Sequence, residues 1–208
     1  MVHASCDVPC FRTIDRHLPI FAYNTHMTSL KGKILIASPQ LLDPNFAQSV
    51  VLMVQHDADG ALGLIINRPL ETTVGEAWRQ VTEVPYQNED PLYAGGPVEG
   101  PLMVLHHDAA RGQIEIADGL HLSSDAMAVK ALVDEQIEPL KFLVGYAGWS
   151  ADQLEGELAE GAWLVAELSI DEVLHTPADL WDKLIKRAAR ATRPAIDARL
   201  IPPDPSVN

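Results

Sequence analysis

Cysteine is almost missing from this chain: of 208 residues only Cys6 and Cys10 are thiols, both within the first ten positions. Two such residues cannot build a disulfide framework, and with His3 and His17 nearby they match no zinc-ligand spacing. Long apolar runs are missing too. No stretch approaches the roughly 18 residues needed to cross a bilayer, and the N-terminus lacks the basic region, clean apolar core and small-residue cleavage site of an export signal. A cytoplasmic location without membrane attachment is expected. Positive charge is scarce, with 15 Lys and Arg against 29 Asp and Glu, a formal net charge of −14. Such a field repels phosphate backbones and anionic membrane surfaces. Catalytic signatures are absent as well. No serine lies in a Gly-x-Ser-x-Gly elbow, no HExxH-type helix presents metal ligands, and no glycine-rich fingerprint leads from a strand into a helix.

What is present suffices for a sizeable core, since 47% of the chain is hydrophobic. Clear hydrophobic period begins after Met27, so residues 1–26 read as a disordered leader, with Met27 a candidate start. Residues 27–190 read as one domain, and 191–208, with Pro202, Pro203 and Pro205, as a flexible tail. Within the domain, 33–37, 49–56 and 61–67 are strand-like. The last two are joined by Asp57-Ala58-Asp59-Gly60, which has hairpin chemistry, and their consecutive apolar residues predict burial on both faces. A helix is predicted over 74–81, a turn-rich segment over 85–91, and strands over 92–94, 102–106 and 114–117. Leu140, Phe142 and Val144 predict a strand that breaks at Gly145 and Gly148 into a helix.

Helix caps are predicted at Ser123 and Ser124, at Ser150 with Gln153 three residues on, at Ser169 with Glu172, and at Thr176-Pro177. The last is followed by an apolar stripe of Leu180, Trp181, Leu184, Ile185 and Ala188. Hairpins mixed with helices imply an α+β fold, a mixed β-sheet flanked by helices in an α/β/α-like layering.

Five ordered blocks carry a family resemblance: Leu35-Ile36-Ala37-Ser38-Pro39, Asp43-Pro44-Asn45-Phe46, the run from Gly60 to Pro69, Gly95-Gly96-Pro97-Val98, and Gly145 to Trp149 with Gln153-Leu154-Glu155. Together, from about Leu30 to Arg187, they resemble the YqgE/AlgH family of bacterial proteins. The resemblance implies a small cytoplasmic α+β protein with a large mixed sheet, of a group often described as transcriptional regulators because one branch is linked to control of alginate production. It supplies no catalytic residues. The long leader and the Pro-rich tail depart from the family pattern.

Candidate chemistry gathers at predicted strand ends. Backbone N–H groups from Gly145 through Gly148 to Ser150 could cradle an anion at a helix start. The preferred alternative has the glycines relieving crowding while Tyr146 and Trp149 fill core. Gln153 and Glu157 share a helix face, for which solvation is the preferred reading. Arg68, after Asn67, could bind a carboxylate or phosphate bidentately, with pairing to a loop acid such as Asp43 the preferred reading. If Asp43, Asn67, Arg68, Gly95, Gly96 and the Tyr146-to-Glu157 group converge, they form one polar-rimmed ligand cleft. His106-His107-Asp108, with His56 and His121, is read as strand-end surface histidines in preference to a metal site. No metal and no cofactor is assigned.

Lys183, Lys186, Arg187, Arg190, Arg193 and Arg199 against Asp197 leave a local +5, which complements a helix C-terminus without any ligand. Direct DNA binding is therefore not expected. The preferred reading is a non-enzymatic regulatory or binding protein, a monomer or weak dimer, acting through a protein partner or small metabolite. The alternative is an uncharacterised enzyme, with hydrolysis the chemistry considered, using Asp43, Arg68 and Glu157.

Overall fold

A computed structural model describes residues 29–81, 86 and 88–191. The predicted leader, most of the predicted tail, and part of the turn-rich segment lie outside these residues. The chain forms strands β1 (Ile34–Ala37), β2 (Val50–Asp57), β3 (Gly60–Ile65) and β4 (Pro69–Thr73), then helix α1 (Val74–Val81). Strands β5 (Pro91–Ala94), β6 (Val98–His106), β7 (Ile114–Ala117) and β8 (Leu120–Ser123) follow, then α2 (Ala126–Asp134) and β9 (Lys141–Ser150). The chain closes with α3 (Gln153–Ala159), β10 (Trp163–Ala166), α4 (Ile170–Leu174) and α5 (Leu180–Ala191).

The strands form one mixed sheet in the order β10-β1-β2-β3-β9-β6-β8-β7, with β5 joined to β9 and β4 to β5. The β5–β9 pairing is parallel and the other pairings are antiparallel. The α+β class predicted from the sequence is what the chain adopts. The β2–β3 hairpin turns where the aspartates and glycine require it, with the Asp57 carboxylate accepting from Asp59 N at 2.9 Å.

Alternation along β2 explains why its sequence is apolar throughout. Val50, Leu52 and Val54 enter one cluster, while Val51 and Met53 enter another on the opposite face. The first cluster extends across Leu64, Met103, Leu105, Ile116 and Leu143, and is closed by α4 and α5 through Val173, Leu174, Leu180 and Leu184. Because β7, at the far end of the order, touches β2, the sheet coils around this inner cluster. The outer face divides in two. Leu154 of α3 covers Leu35, Val51, Met53 and Trp149, whereas Val74 and Trp78 of α1 and Val129 and Leu132 of α2 cover Val104 and Phe142. Among the described residues no helix is long and apolar enough to cross a membrane.

The expected break of the strand at Gly145 and Gly148 does not occur, although the helix expected beyond it forms as α3. β9 runs through both glycines to Ser150, pairing Gly63 with Ala147 and Ala61 with Trp149. Gly145 adopts φ +75, which a side chain would resist. As a result Val144 packs outward against Phe142, while Tyr146, two residues on, packs against the inner cluster. The glycine thus turns the strand over where its neighbour changes from β5 to β3.

Capping also differs from expectation in three places. The N-cap of α2 is Asp125, accepting from Met127 N and Ala128 N at 3.0 Å each, because Ser123 is still in β8. Ser150 ends a strand, so its contacts to the Gln153 side chain form no cap, and α3 starts after Asp152. Thr176 precedes α5 by a full turn and is used elsewhere. The Ser169–Glu172 capping box is formed as predicted. Gly161 closes α3 with Gly161 N and Ala162 N donating to Leu158 O and Glu157 O. β4, β8 and β10, strands of four or five residues, were not anticipated.

Candidate functional site

The residues predicted to form one cleft fall into groups joined by the loop between β1 and β2. The Arg68 guanidinium donates to Asn45 O at 2.7 Å and Ala47 O at 3.3 Å. It pins that loop instead of pairing with Asp43, whose carboxylate accepts from Asn45 N at 2.8 Å in a local turn. Burial lowers the Arg68 pKa without discharging it at neutral pH. Asn67 is used on both sides, accepting from Val50 N at 2.8 Å and donating to Gln48 O at 2.9 Å. Asn67 and Arg68 line a hollow of about 230 Å³ with Gln48, Trp181 and Asp182. Replacing Arg68 with alanine is expected to free the loop and cost about 1–2 kcal/mol, seen as faster hydrogen exchange at Ala47 N and Ser49 N. Unchanged exchange would show that the guanidinium does not hold the loop.

A second group is built around Glu157. Its Oε2 accepts from Trp149 Nε1 at 2.9 Å and Trp163 Nε1 at 2.7 Å, and its Oε1 accepts from Gln153 Nε2 at 3.1 Å. The expected solvated face is therefore a bracket that satisfies two buried indoles. Phe46 stacks on Trp149 with centroids 5.9 Å apart and meets Trp163 edge-on at 5.5 Å, so this group touches the same loop that Arg68 pins. Gly95 and Gly96 lie against the backbone of β9. A Cβ at Gly96 would fall 2.1 Å from Tyr146 C, so this glycine is required by packing alone. Tyr146 and Gly148 lie along β9 and line neither the Arg68 hollow nor the cavity described below.

Of the four histidines expected on the surface only His107 is exposed. His56, His106 and His121 are buried, at 8%, 0% and 6% exposure. Ser123 Oγ donates to Arg111 O at 2.6 Å, so the 2.9 Å contact from His106 Nε2 requires that nitrogen to carry hydrogen and Ser123 to accept. His106 Nδ1 in turn accepts from Asp108 N at 3.2 Å. Burial, with the neighbouring His121, lowers the His106 pKa to about 4 and keeps the ring neutral. A histidine that donates to a serine cannot take its proton, so the pair is structural. Asp108 is committed to Arg111. Among the described residues no group of three or more His, Cys, Asp or Glu is placed to hold a metal ion.

A cavity containing a buried amine was not anticipated. It has a volume of about 430 Å³ and lies where α1, β5, β9 and the end of α4 meet, with Val74, Tyr93, Phe142 and Leu174 among its walls. Its base holds Lys141, 3% exposed. Register explains the burial: Lys141 pairs with Leu105, and both are directed to the inner face that Leu143 also fills. Its Nζ donates to Thr176 Oγ1 at 3.0 Å and lies 3.4 Å from the Tyr93 ring centroid. No carboxylate among the described residues pairs with it, and burial lowers its pKa to about 7. The ring face opposes that shift, yet a cation–π contact of roughly 0.5–2 kcal/mol is smaller than the several kcal/mol lost by a desolvated ammonium. Burial and Asp90 hold the Tyr93 phenol above its usual range, hence protonated.

The sequence hid this site because Leu140, Phe142 and Val144 define an apolar face whose alternation assigns Lys141 to the wet side. The signal that could have revealed it is Leu143, equally apolar and on the lysine's own face.

Comparison with known proteins gives a consistent setting. The AlgH-like family matches residues 34–192. A UPF0301 protein of Myxococcus xanthus is 41% identical over 165 residues, covering 77% of this chain and 91% of the relative. A UPF0301 protein of Pseudomonas fluorescens is 38% identical over 165 residues, covering 76% and 87% respectively. The solution structure of the AlgH protein from Pseudomonas aeruginosa matches with a TM-score of 0.67 at 32% identity, over 83% of this chain and 94% of that one. A crystal structure of a Corynebacterium diphtheriae protein shares the fold, with a TM-score of 0.64 at 21% identity over 88% of this chain and 92% of that one.

Proposed function

The chain belongs to the AlgH-like family, and from that premise we propose that it is a non-enzymatic regulatory protein whose small-ligand site is the cavity above Lys141. One observation carries the reading. A buried amine without an ionic partner is costly to maintain, and here it lies at the base of a 430 Å³ cavity. That volume falls within the usual range for small-molecule pockets. The groups first expected to bind, Asn67, Arg68 and Glu157, spend their hydrogen bonds inside the fold. Arg68 is spent on loop carbonyls and Glu157 on two indoles and Gln153, which weighs against the hydrolytic alternative with Asp43.

Regulation through a ligand or protein partner, not through DNA, fits the charge. Lys183 pairs with Asp179 at 2.8 Å, and Arg187 faces Glu172 and donates to Glu167 O, so part of the basic cluster is neutralised within the fold. A cytoplasmic monomer or weak dimer is the matching state.

A thermal-shift screen of metabolites, nucleotides and metals tests the reading, because a ligand that binds the folded state raises its stability by mass action. A hit is expected to lose its shift in Lys141→Met and keep it in Arg68→Ala. A hit that depends on Arg68 and ignores Lys141 would move the site to the other hollow. Duplex DNA bound with a steep salt slope at physiological ionic strength would overturn the indirect mode.

A further inference from the structure

Resting on the reading that this cavity is the ligand site, we propose that Lys141 captures a small uncharged carbonyl compound, an aldehyde or ketone, as a reversible imine. Position comes first. Nζ lies between Thr176 Oγ1 and the Tyr93 ring, and all three residues line the cavity.

The hydrogen bonds leave the nitrogen lone pair free. Thr176 Oγ1 donates its own hydrogen to Val173 O at 2.9 Å, so it can only accept from Nζ. A neutral amine placed this way gives one hydrogen to Thr176, turns the other toward the ring face, and keeps its lone pair for a carbon electrophile. Desolvation favours that neutral form.

The walls select the ligand class. Asp90 and Glu138 line the cavity, so a carboxylate or phosphate would meet negative charge as well as the lysine. Val74, Phe142 and Leu174 offer apolar surface to a short carbon chain. The other titratable groups lining the cavity are Tyr86, Tyr93 and His175, and His175 is occupied by Asp171 at 2.9 Å.

In the reaction the Nζ lone pair forms a bond to the carbonyl carbon while the C=O π pair moves to oxygen. The two hydrogens of the amine leave with that oxygen as water, and the C=N bond forms. Water reverses the sequence, and no oxidant or reductant is consumed.

The test uses the full chain, limiting propionaldehyde and sodium cyanoborohydride, which reduces an imine to a stable secondary amine read by peptide mass spectrometry. At pH 7 Lys141 is expected to be labelled at least tenfold ahead of the exposed Lys130 and Lys183, with its labelling half-maximal near pH 7. Labelling of Lys130 and Lys183 with Lys141 untouched, or equal labelling of all three, overturns the imine. If a thermal-shift hit still depends on Lys141 in that case, the binding reading stands without the covalent step. If Lys141 is trapped but no screened ligand shifts stability, the imine stands and the regulatory reading loses its support.

Discussion

Replacing Glu157 with leucine is expected to destabilise the protein by about 3–5 kcal/mol, the cost of stranding two buried indole donors at roughly 1–3 kcal/mol each with some loss of packing. Trp149 and Trp163 are 5% and 3% exposed, so water cannot easily replace the carboxylate. Both indoles point at one oxygen, Oε2. Glutamine keeps an oxygen there but turns its amide nitrogen toward the Gln153 Nε2 donor, so Glu157→Gln should cost about 1–2 kcal/mol, from the lost Gln153 bond and the charge-assisted part of the others. Urea titration followed by tryptophan emission separates the two variants, with an unchanged slope indicating that only stability has moved. If leucine costs no more than glutamine, the bracket is not what orders the two tryptophans. The same carboxylate belongs to the hydrolytic alternative with Asp43 and Arg68, and its commitment to three donors weighs against that role.

What was legible in the chain follows the strength of each local pattern. The β2–β3 hairpin, α1, the Ser169–Glu172 box and the apolar stripe of α5 each rest on several residues that agree, and each is found. Trp181 adds to the last by donating Nε1 to Ala37 O at 2.8 Å. Gly145-Tyr146-Ala147-Gly148 misled because two glycines are stronger as local punctuation than the alternation of Ala147 and Trp149, which are buried, with Gly148 and Ser150, which are exposed. Tertiary pairing with β3 and β6 decided that contest. The site was less legible than the fold for a related reason. Arg68, Asn67 and Glu157 are conspicuous polar residues beside apolar runs, and a fold that must bury loop carbonyls and indoles uses such residues as internal partners. Lys141 is inconspicuous at the start of a strand, and only the register with Leu105 reveals that it faces inward.

The inward lysine also makes a prediction about pH. Lysine in an unfolded chain titrates near 10.4, while in the fold burial lowers Lys141 to about 7. Between those values the unfolded state holds more protons, so the native protein gains stability as pH rises from 7 toward 10 and carries the full penalty below 7. Lys141→Met fills nearly the same volume without a charge to desolvate. It should therefore be more stable than the native chain at pH 6 by on the order of 2–4 kcal/mol, with the advantage falling to about 1 kcal/mol or less near pH 10. Burial and Asp90 hold the Tyr93 phenol above its usual range, so the difference between the two proteins over this window isolates the lysine. Denaturant midpoints at the two pH values decide it: a variant weakened equally at both would mean that the ammonium is compensated inside the fold. If removing Lys141 strengthens the protein as expected, the residue is held there by something other than stability, which is the demand that the proposed ligand cavity would supply.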